Sequence, residues 1–390
     1  MKRLFKNGNI VDATAKKVYK ADILVEDGVI KAVGCDLDLP KNIPSTDLHG
    51  QYVLPGLFNC HVHITSNPDP RAPRPTSDAA LTIQAMNNLA LHLSSGVTYI
   101  RDVGSANFID IVLRDAVASG QINGPDMQTS GKCICMTGGH GWSTGRQADG
   151  RDDCRKAARE MLRAGSDWIK VMATGGVMTK GVEPGAEQLS VEEMAVIVEE
   201  AHKKGARVCT HAQGNSGIRN ALEAGIDCIE HGIYLDDEII DTMLKKGSWL
   251  VPTLCAPHFI LKYGIAGGVP DYAVKKTEVV HAAHTASFQK AYKAGVKIAC
   301  GTDAGTPYNP HNGTPNELIL MVKAGLTPFQ AIETATINSA RLLKVDDILG
   351  TIEPGKKAHL AIFKNDPTED INNILDCRMT VKDGEIVYKK

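Results

Sequence analysis

Thiols are scarce in this chain. It has 10 Cys in 390 residues, far below the density of a disulfide-stapled scaffold. Several sit inside apolar runs, as in Ile298-Ala-Cys300 and Arg207-Val-Cys209, where a thiol behaves as a small hydrophobe. Net charge is nearly absent too. The 43 basic and 45 acidic side chains leave −2, so no global field draws in nucleic acid or an anionic membrane. No apolar run approaches about 18 residues, which argues against a membrane-spanning helix. The first residues, MKRLFKNGNIVDATAKK, hold no apolar stretch of the kind a secretory leader needs. These absences point to a soluble protein of a reduced, cytoplasmic compartment. Hydrophobic residues at 43% and charged residues at 23% are those of a globular chain and exclude disorder, collagen and coiled coil. The length suits roughly two to three average domains, or one large barrel with an appendage. Composition leaves one question: where the 13 His go.

Both ends read as β. Residues 3–34 alternate β-rich runs with the turn signals Asn7-Gly8 and Asp27-Gly28, and residues 351–390 do the same around Asp383-Gly384. Neither segment is large enough to fold alone. The expectation is one small β-sandwich domain built from 1–55 plus 349–390. The middle, 56–348, has another rhythm: a helical stretch ends at a glycine and a short apolar strand follows. This recurs at Gly96, Gly165, Gly205, Gly225, Gly247 and Gly295, the expected helix terminators. Ser190 with Glu193, and Thr327 with Gln330, are capping boxes at helix starts, the second with Pro328 at the first helical position. Adding strands near 57–64 and 127–135 gives eight βα units in roughly 290 residues, an α/β chain of the (β/α)8 TIM-barrel class. The alternative, a doubly wound open sheet, is weakened because no GxGxxG opens a first βα turn.

In such a barrel the C-terminal strand ends carry the chemistry. Strand one ends in His61-Val-His63. Residues i and i+2 of a strand point to one face, about 6.5–7 Å apart, so both imidazoles can reach one cation. Strand four carries Lys170 in Trp168-Ile-Lys170-Val, strand five ends at His211, strand six at His231 and strand eight at Asp303. Taken singly, a histidine at a strand end is more often hydrogen-bonded than ligating. Lys170 is the oddest, a charge in an apolar strand, where an unpaired ammonium is costly; a buried Lys–carboxylate pair is the bland reading. Concurrence outweighs the single readings, because all these groups fall at one end of successive strands.

With these residues in that order, the chain resembles the amidohydrolase superfamily in its binuclear-metal form. The resemblance implies two divalent metal ions, with zinc expected from the imidazole and carboxylate donors. His61 and His63 would bind the first metal and His211 and His231 the second. Lys170, carboxylated by CO2 to a carbamate, would bridge the two. Asp303 would bind the first metal and act on the catalytic water. The expected chemistry is attack of a metal-bridging hydroxide on an amide carbonyl, with Asp303 as general base and then acid. The Met136-Thr-Gly-Gly-His140-Gly141 loop, ATGG after strand four and HAQG at strand five look most like the branch of prolidase-like dipeptidases and carboxypeptidases, with imidazolonepropionase more distant. That likeness implies substrate contacts for His140 and Tyr234. The expected substrate is a dipeptide or N-acyl amino acid. The alternatives are a cyclic-amide hydrolase or deaminase, and a metal-free scaffold. The expected partner is a small molecule, with homo-oligomers allowed and nucleic acid and membrane excluded. Arg101-Asp102 reads as an internal ion pair or, less simply, a substrate clamp. His258 and His311 are candidate pocket residues. His281 and His284, on a helix expected over 271–294, read as surface or packing residues, and Cys133 and Cys135 as buried thiols.

Overall fold

The computed structural model describes residues 2–35, 37 and 42–390. Five strands open the chain: β1 (Lys2–Asp12), β2 (Lys17–Glu26), β3 (Val29–Gly34), β4 (Ser45–Asp47) and β5 (Tyr52–Pro55). β1, β2 and β3 form an antiparallel meander, and β4 and β5 run parallel to β1. Asp27 and Gly28 make the β2–β3 turn at φ 52° and 78°, as a two-residue hairpin loop requires. Asn7-Gly8 behaves differently from its turn-like sequence. β1 runs through it, and the register with β2 slips between Phe5 and Gly8. Asn7 takes φ 57° and bonds the carboxylates of Asp22 and Asp47, so the pair makes an irregularity within the strand.

Ten short strands follow: β6 (Leu57–Val62), β7 (Val97–Asp102), β8 (Asp126–Thr129), β9 (Ile134–Cys135) and β10 (Arg146–Gln147), then β11 (Trp168–Met172), β12 (Arg207–Ala212), β13 (Cys228–His231), β14 (Trp249–Val251) and β15 (Lys297–Ile298). Between and after them lie the helices α1 (Asp78–Ser94), α2 (Ile109–Ala118), α3 (Arg151–Ala164), α4 (Val191–Lys203), α5 (Asn215–Glu223), α6 (Asp237–Lys246), α7 (Cys255–Tyr263), α8 (Asp271–Ala294), α9 (Thr314–Lys323), α10 (Pro328–Thr334) and α11 (Ile337–Leu343). Both expected capping boxes form, at α4 and α10. Gly165 and Gly247 close α3 and α6 in the left-handed region. This is a mixed α/β fold with parallel strands.

The strands form two sheets, β6-β7-β8 and β10-β9-β11-β12-β13-β14-β15, rather than one closed ladder. Hydrogen bonds cross both seams. Thr129 donates its N–H to the Asp167 carboxylate and accepts from the Asp167 N–H, each at 2.9 Å. Cys60 N–H donates to Cys300 O and Asp303 N–H to His61 O, each at 2.8 Å. The strand expected near 127–135 is split. Gly131 turns away at φ 66°, its N–H held by Asp110, and the chain resumes as β9 beside β11.

β16 (Leu360–Phe363), β17 (Cys377–Lys382) and β18 (Glu385–Lys389) return to β5. The terminal sheet runs β18-β17-β16-β5-β1-β2-β3, with β4 on β1. Both chain ends therefore share one sheet and one core, in which Phe5, Ile23 and Val53 meet Leu360 and Val381. All ten cysteines are free, and all but Cys35 are buried. Burial pushes the Cys133 and Cys135 thiols up to about 11 and about 12. Among the described residues no helix is long and apolar enough to cross a membrane.

Candidate metal centre

Parallel strands put all their C-terminal ends on one side, and the six residues singled out there meet. Nε2 of His61 and Nε2 of His63 lie 3.4 and 3.2 Å from one Asp303 carboxylate oxygen, and the three side chains could share one ion. The imidazoles continue as a chain. Ring centroids are 5.4 Å apart for His61–His63, 5.1 Å for His61–His231 and 4.5 Å for His231–His211. His140 extends it, 4.2 Å from His211.

Each of the four strand-end imidazoles spends one nitrogen on an outside acceptor. His61 Nδ1 lies 2.7 Å from Glu230 Oε2 and His63 Nδ1 2.8 Å from Gly104 O. His211 Nε2 lies 3.3 Å from Gly175 O. His231 Nδ1 lies 2.6 Å from Thr253 Oγ1, whose own hydrogen goes to Pro252 O. A carbonyl or carboxylate oxygen can only accept, so these ring nitrogens carry the hydrogen and the opposite ones keep a lone pair. An outer acceptor on each imidazole is the arrangement of metal-binding histidines. Burial, helped by neighbouring imidazoles, holds His211 and His231 well below the usual histidine value, so both rings are neutral. Burial alone would raise Asp303, but a proton on the facing His61 or His63 ring outweighs it and holds the carboxyl well below the usual range.

Lys170 completes the group. It is 1% exposed, and its Nζ has no hydrogen-bond partner among the described residues. Among the described residues Lys170 has no carboxylate partner. An ammonium left bare among imidazoles is expensive, and a carbamate beside dications would resolve it. The donor set therefore fits two divalent ions: neutral nitrogens, one anionic carboxylate, and a lysine whose present form is unsatisfied.

The amidohydrolase family model matches residues 52–387. The chain belongs to the amidohydrolase family. It is 31% identical over 401 residues to an ochratoxinase of Aspergillus niger, covering 93% of this chain and 81% of the relative. It is 26% identical to an imidazolonepropionase of Paracoccus denitrificans, covering 89% and 88%. Among solved structures, an Xaa-Pro dipeptidase with methionine bound in its active site superposes with TM-score 0.93 at 33% identity, with both chains fully covered. This amidohydrolase is thus an enzyme of a family of amide-bond hydrolases.

Beyond the expected ligands and substrate contacts, the amidohydrolase places Arg101, Glu230 and Thr253 around the cluster. Arg101 does form a buried ion pair, but its partner is Glu230 (2.6 Å), on β13, and not Asp102. Asp102 instead accepts from Ile64 N and Gly104 N. Thr253 backs His231. The only sequence signal for Arg101 and Glu230 is a charge in an apolar strand, the oddity that marks Lys170. Three backbones here are left-handed without being glycine: His231 (φ 71°), Asp303 (φ 62°) and Thr253 (φ 54°). Each such residue costs roughly 1–3 kcal/mol, and such strain gathers at functional sites.

The loops after β9 and β11 meet at Gly176. A Cβ there would lie 2.7 Å from His140 Cε1 and 2.9 Å from His211 Nε2. His140 Nδ1 bonds Thr179 Oγ1 at 2.8 Å, and burial lowers its pKa to about 4, so the ring is neutral at neutral pH. Tyr234 is half-buried and borders an open pocket with Asn215, Asp236 and Lys290. His258 lies on α7 against Phe259. His311 is buried, with Nδ1 3.2 Å from His92 Nε2. On α8, His284 sits under the site, its Nε2 2.7 Å from Pro252 O and 3.1 Å from His231 O. His281 is on the same helix. A second group, Asp126, His359 and Asp383, is already neutralised by Lys357 and Lys382.

Proposed function

We propose that this amidohydrolase cleaves the amide bond of a dipeptide or an N-acyl amino acid at a binuclear metal centre. The observation that carries the reading is the buried Lys170, without a hydrogen-bond partner among the described residues and in the field of His140, His211 and His231, where the four strand-end imidazoles have their outer nitrogens already committed. His61, His63 and Asp303 would hold one dication, with zinc expected, and His211 and His231 the other. The Lys170 ammonium would lose one proton to become an amine, condense with CO2 and lose a second, giving a carbamate anion shared by the two. When bound, the ions supply Lewis-acid activation of the carbonyl and of water.

The remaining work falls to side chains of the chain. Asp303, ionised at neutral pH, takes the proton of the attacking water and hands it to the leaving nitrogen. Neutral His140, steadied by Thr179, and the Tyr234 hydroxyl orient the substrate carboxylate and carbonyl by hydrogen bonds. Likeness to the Xaa-Pro dipeptidase supports the peptide substrate. The second reading, a cyclic-amide hydrolase or deaminase, draws on the imidazolonepropionase likeness. For the architecture, we take the two parallel arcs as the halves of an eight-stranded (β/α)8 barrel at 56–348. Residues 1–55 plus 349–390 are then a β-sandwich domain.

The test is a panel of dipeptides, N-acyl amino acids and cyclic amides offered to the zinc-loaded enzyme. Hydrolysis of open-chain amides with a free carboxylate is expected. Turnover of cyclic amides alone would replace this reading with the second.

A further inference from the structure

Of the four strand-end histidines, three hand their outer N–H to a neutral oxygen, of Gly104, Gly175 or Thr253. His61 alone hands it to a carboxylate, Glu230, at 2.7 Å. That carboxylate is fully buried and is held in turn by Arg101 at 2.6 Å, also fully buried. Arg101 is fixed on two further sides. Its Nε donates to Cys60 O at 2.6 Å, the residue before His61, and its guanidinium stacks at 4.5 Å on Trp168. Arg207 covers Trp168 as well, at 4.3 Å.

A buried pair of this kind is a poor investment in stability. Two charges taken out of water are often replaced by apolar residues at no loss. The pair does serve geometry, because one guanidinium grips both the backbone that carries His61 and the carboxylate that orients its ring. An ionised carboxylate can only accept, so the ring must keep its hydrogen on Nδ1.

We propose that the Arg101–Glu230 pair is a positioning device for His61, fixing the Nδ1–H tautomer and presenting Nε2 to the cation shared with His63 and Asp303. This rests on the metal-centre reading above. Glu230 and Arg101 touch neither substrate nor metal; they act through His61.

The test removes the pair without leaving a bare charge, in the double variant Arg101→Met with Glu230→Leu. Dication affinity is read by competition with a chelator, and the ligand field by the visible spectrum of the cobalt-substituted protein. A purely structural pair would leave both readouts at the wild-type level in a folded variant, and that result overturns the proposal. The proposal predicts a folded variant in which one dication binds about 10–100-fold more weakly, with an altered cobalt spectrum. If the double variant does not fold, 15N spectra of histidine-labelled wild-type protein decide: His61 protonated on Nδ1 supports the proposal, and on Nε2 overturns it. A wild-type chain that takes up no dication would bring down the metal-centre reading itself, and this inference with it.

Discussion

Gly176 shows how closely space is set at the level of one atom. It is not left-handed; it is glycine because the His140 and His211 rings leave no room for a methyl. Gly176→Ala should push both rings aside and cut kcat/KM by about 100-fold, while the melting temperature stays near that of the parent. Unchanged kinetics would mean that these rings do not need their present positions. Asp110 is a second residue with a definite consequence. Burial, reinforced by the Asp102 charge, raises its pKa from 3.8 to about 7. Below pH 3.8 the carboxyl is neutral in folded and unfolded chains alike. Between there and about pH 7 the unfolded chain ionises and the folded one resists, so stability falls by about 1.4 kcal/mol per pH unit. Asp110→Asn cannot ionise and keeps an acceptor for Gly131 N–H. Urea midpoints of the two proteins should coincide near pH 4 and separate toward pH 7, with the variant more stable. Parallel pH profiles would contradict this.

At the scale of elements, the start of α4 does double duty. Ser190 and Glu193 cap one another, and the second Glu193 oxygen accepts from Gly150 N–H at 2.6 Å, at the start of α3. Ser190→Ala should cost about 1 kcal/mol. Glu193→Ala, which frees both helix starts, should cost about 2 kcal/mol; equal urea midpoints for the two variants would mean that the Gly150 bond contributes nothing. The box itself was legible because its partners lie three residues apart and cap the helix locally. The same holds for the strand ends, where short apolar runs stop at His61, His211 and His231. What was not legible depends on contacts far apart in sequence. The chain leaves β8 at Gly131, where Asp110, 21 positions earlier, captures the N–H. Asn7-Gly8 looks like a hairpin turn, but neighbouring carboxylates hold it within a strand. Arg101 finds Glu230 across 129 positions, a pairing that only the assembled sheets define.

At the scale of the molecule, the candidate centre spans both arcs. His61 and His63 come from the sheet of β6, β7 and β8, while Lys170, His211 and His231 come from the sheet of β11 to β15. Asp303 follows β15 and crosses the seam to bond His61 O. Among the described residues no ladder closes that seam, so ions held between the arcs would tie together what the backbone alone joins by a few hydrogen bonds. Ligands that bind only the folded form stabilise it by mass action, so stripping the metals should lower the melting temperature by several degrees as well as abolish turnover. The central claim, that Lys170 is the shared anion of a two-metal site, has a direct measurement. Metal content per chain is determined by elemental analysis for the wild type and for Lys170→Met, both purified with zinc and bicarbonate. The account predicts about two dications in the wild type and at most one in the variant. Equal metal content in the two proteins would contradict it.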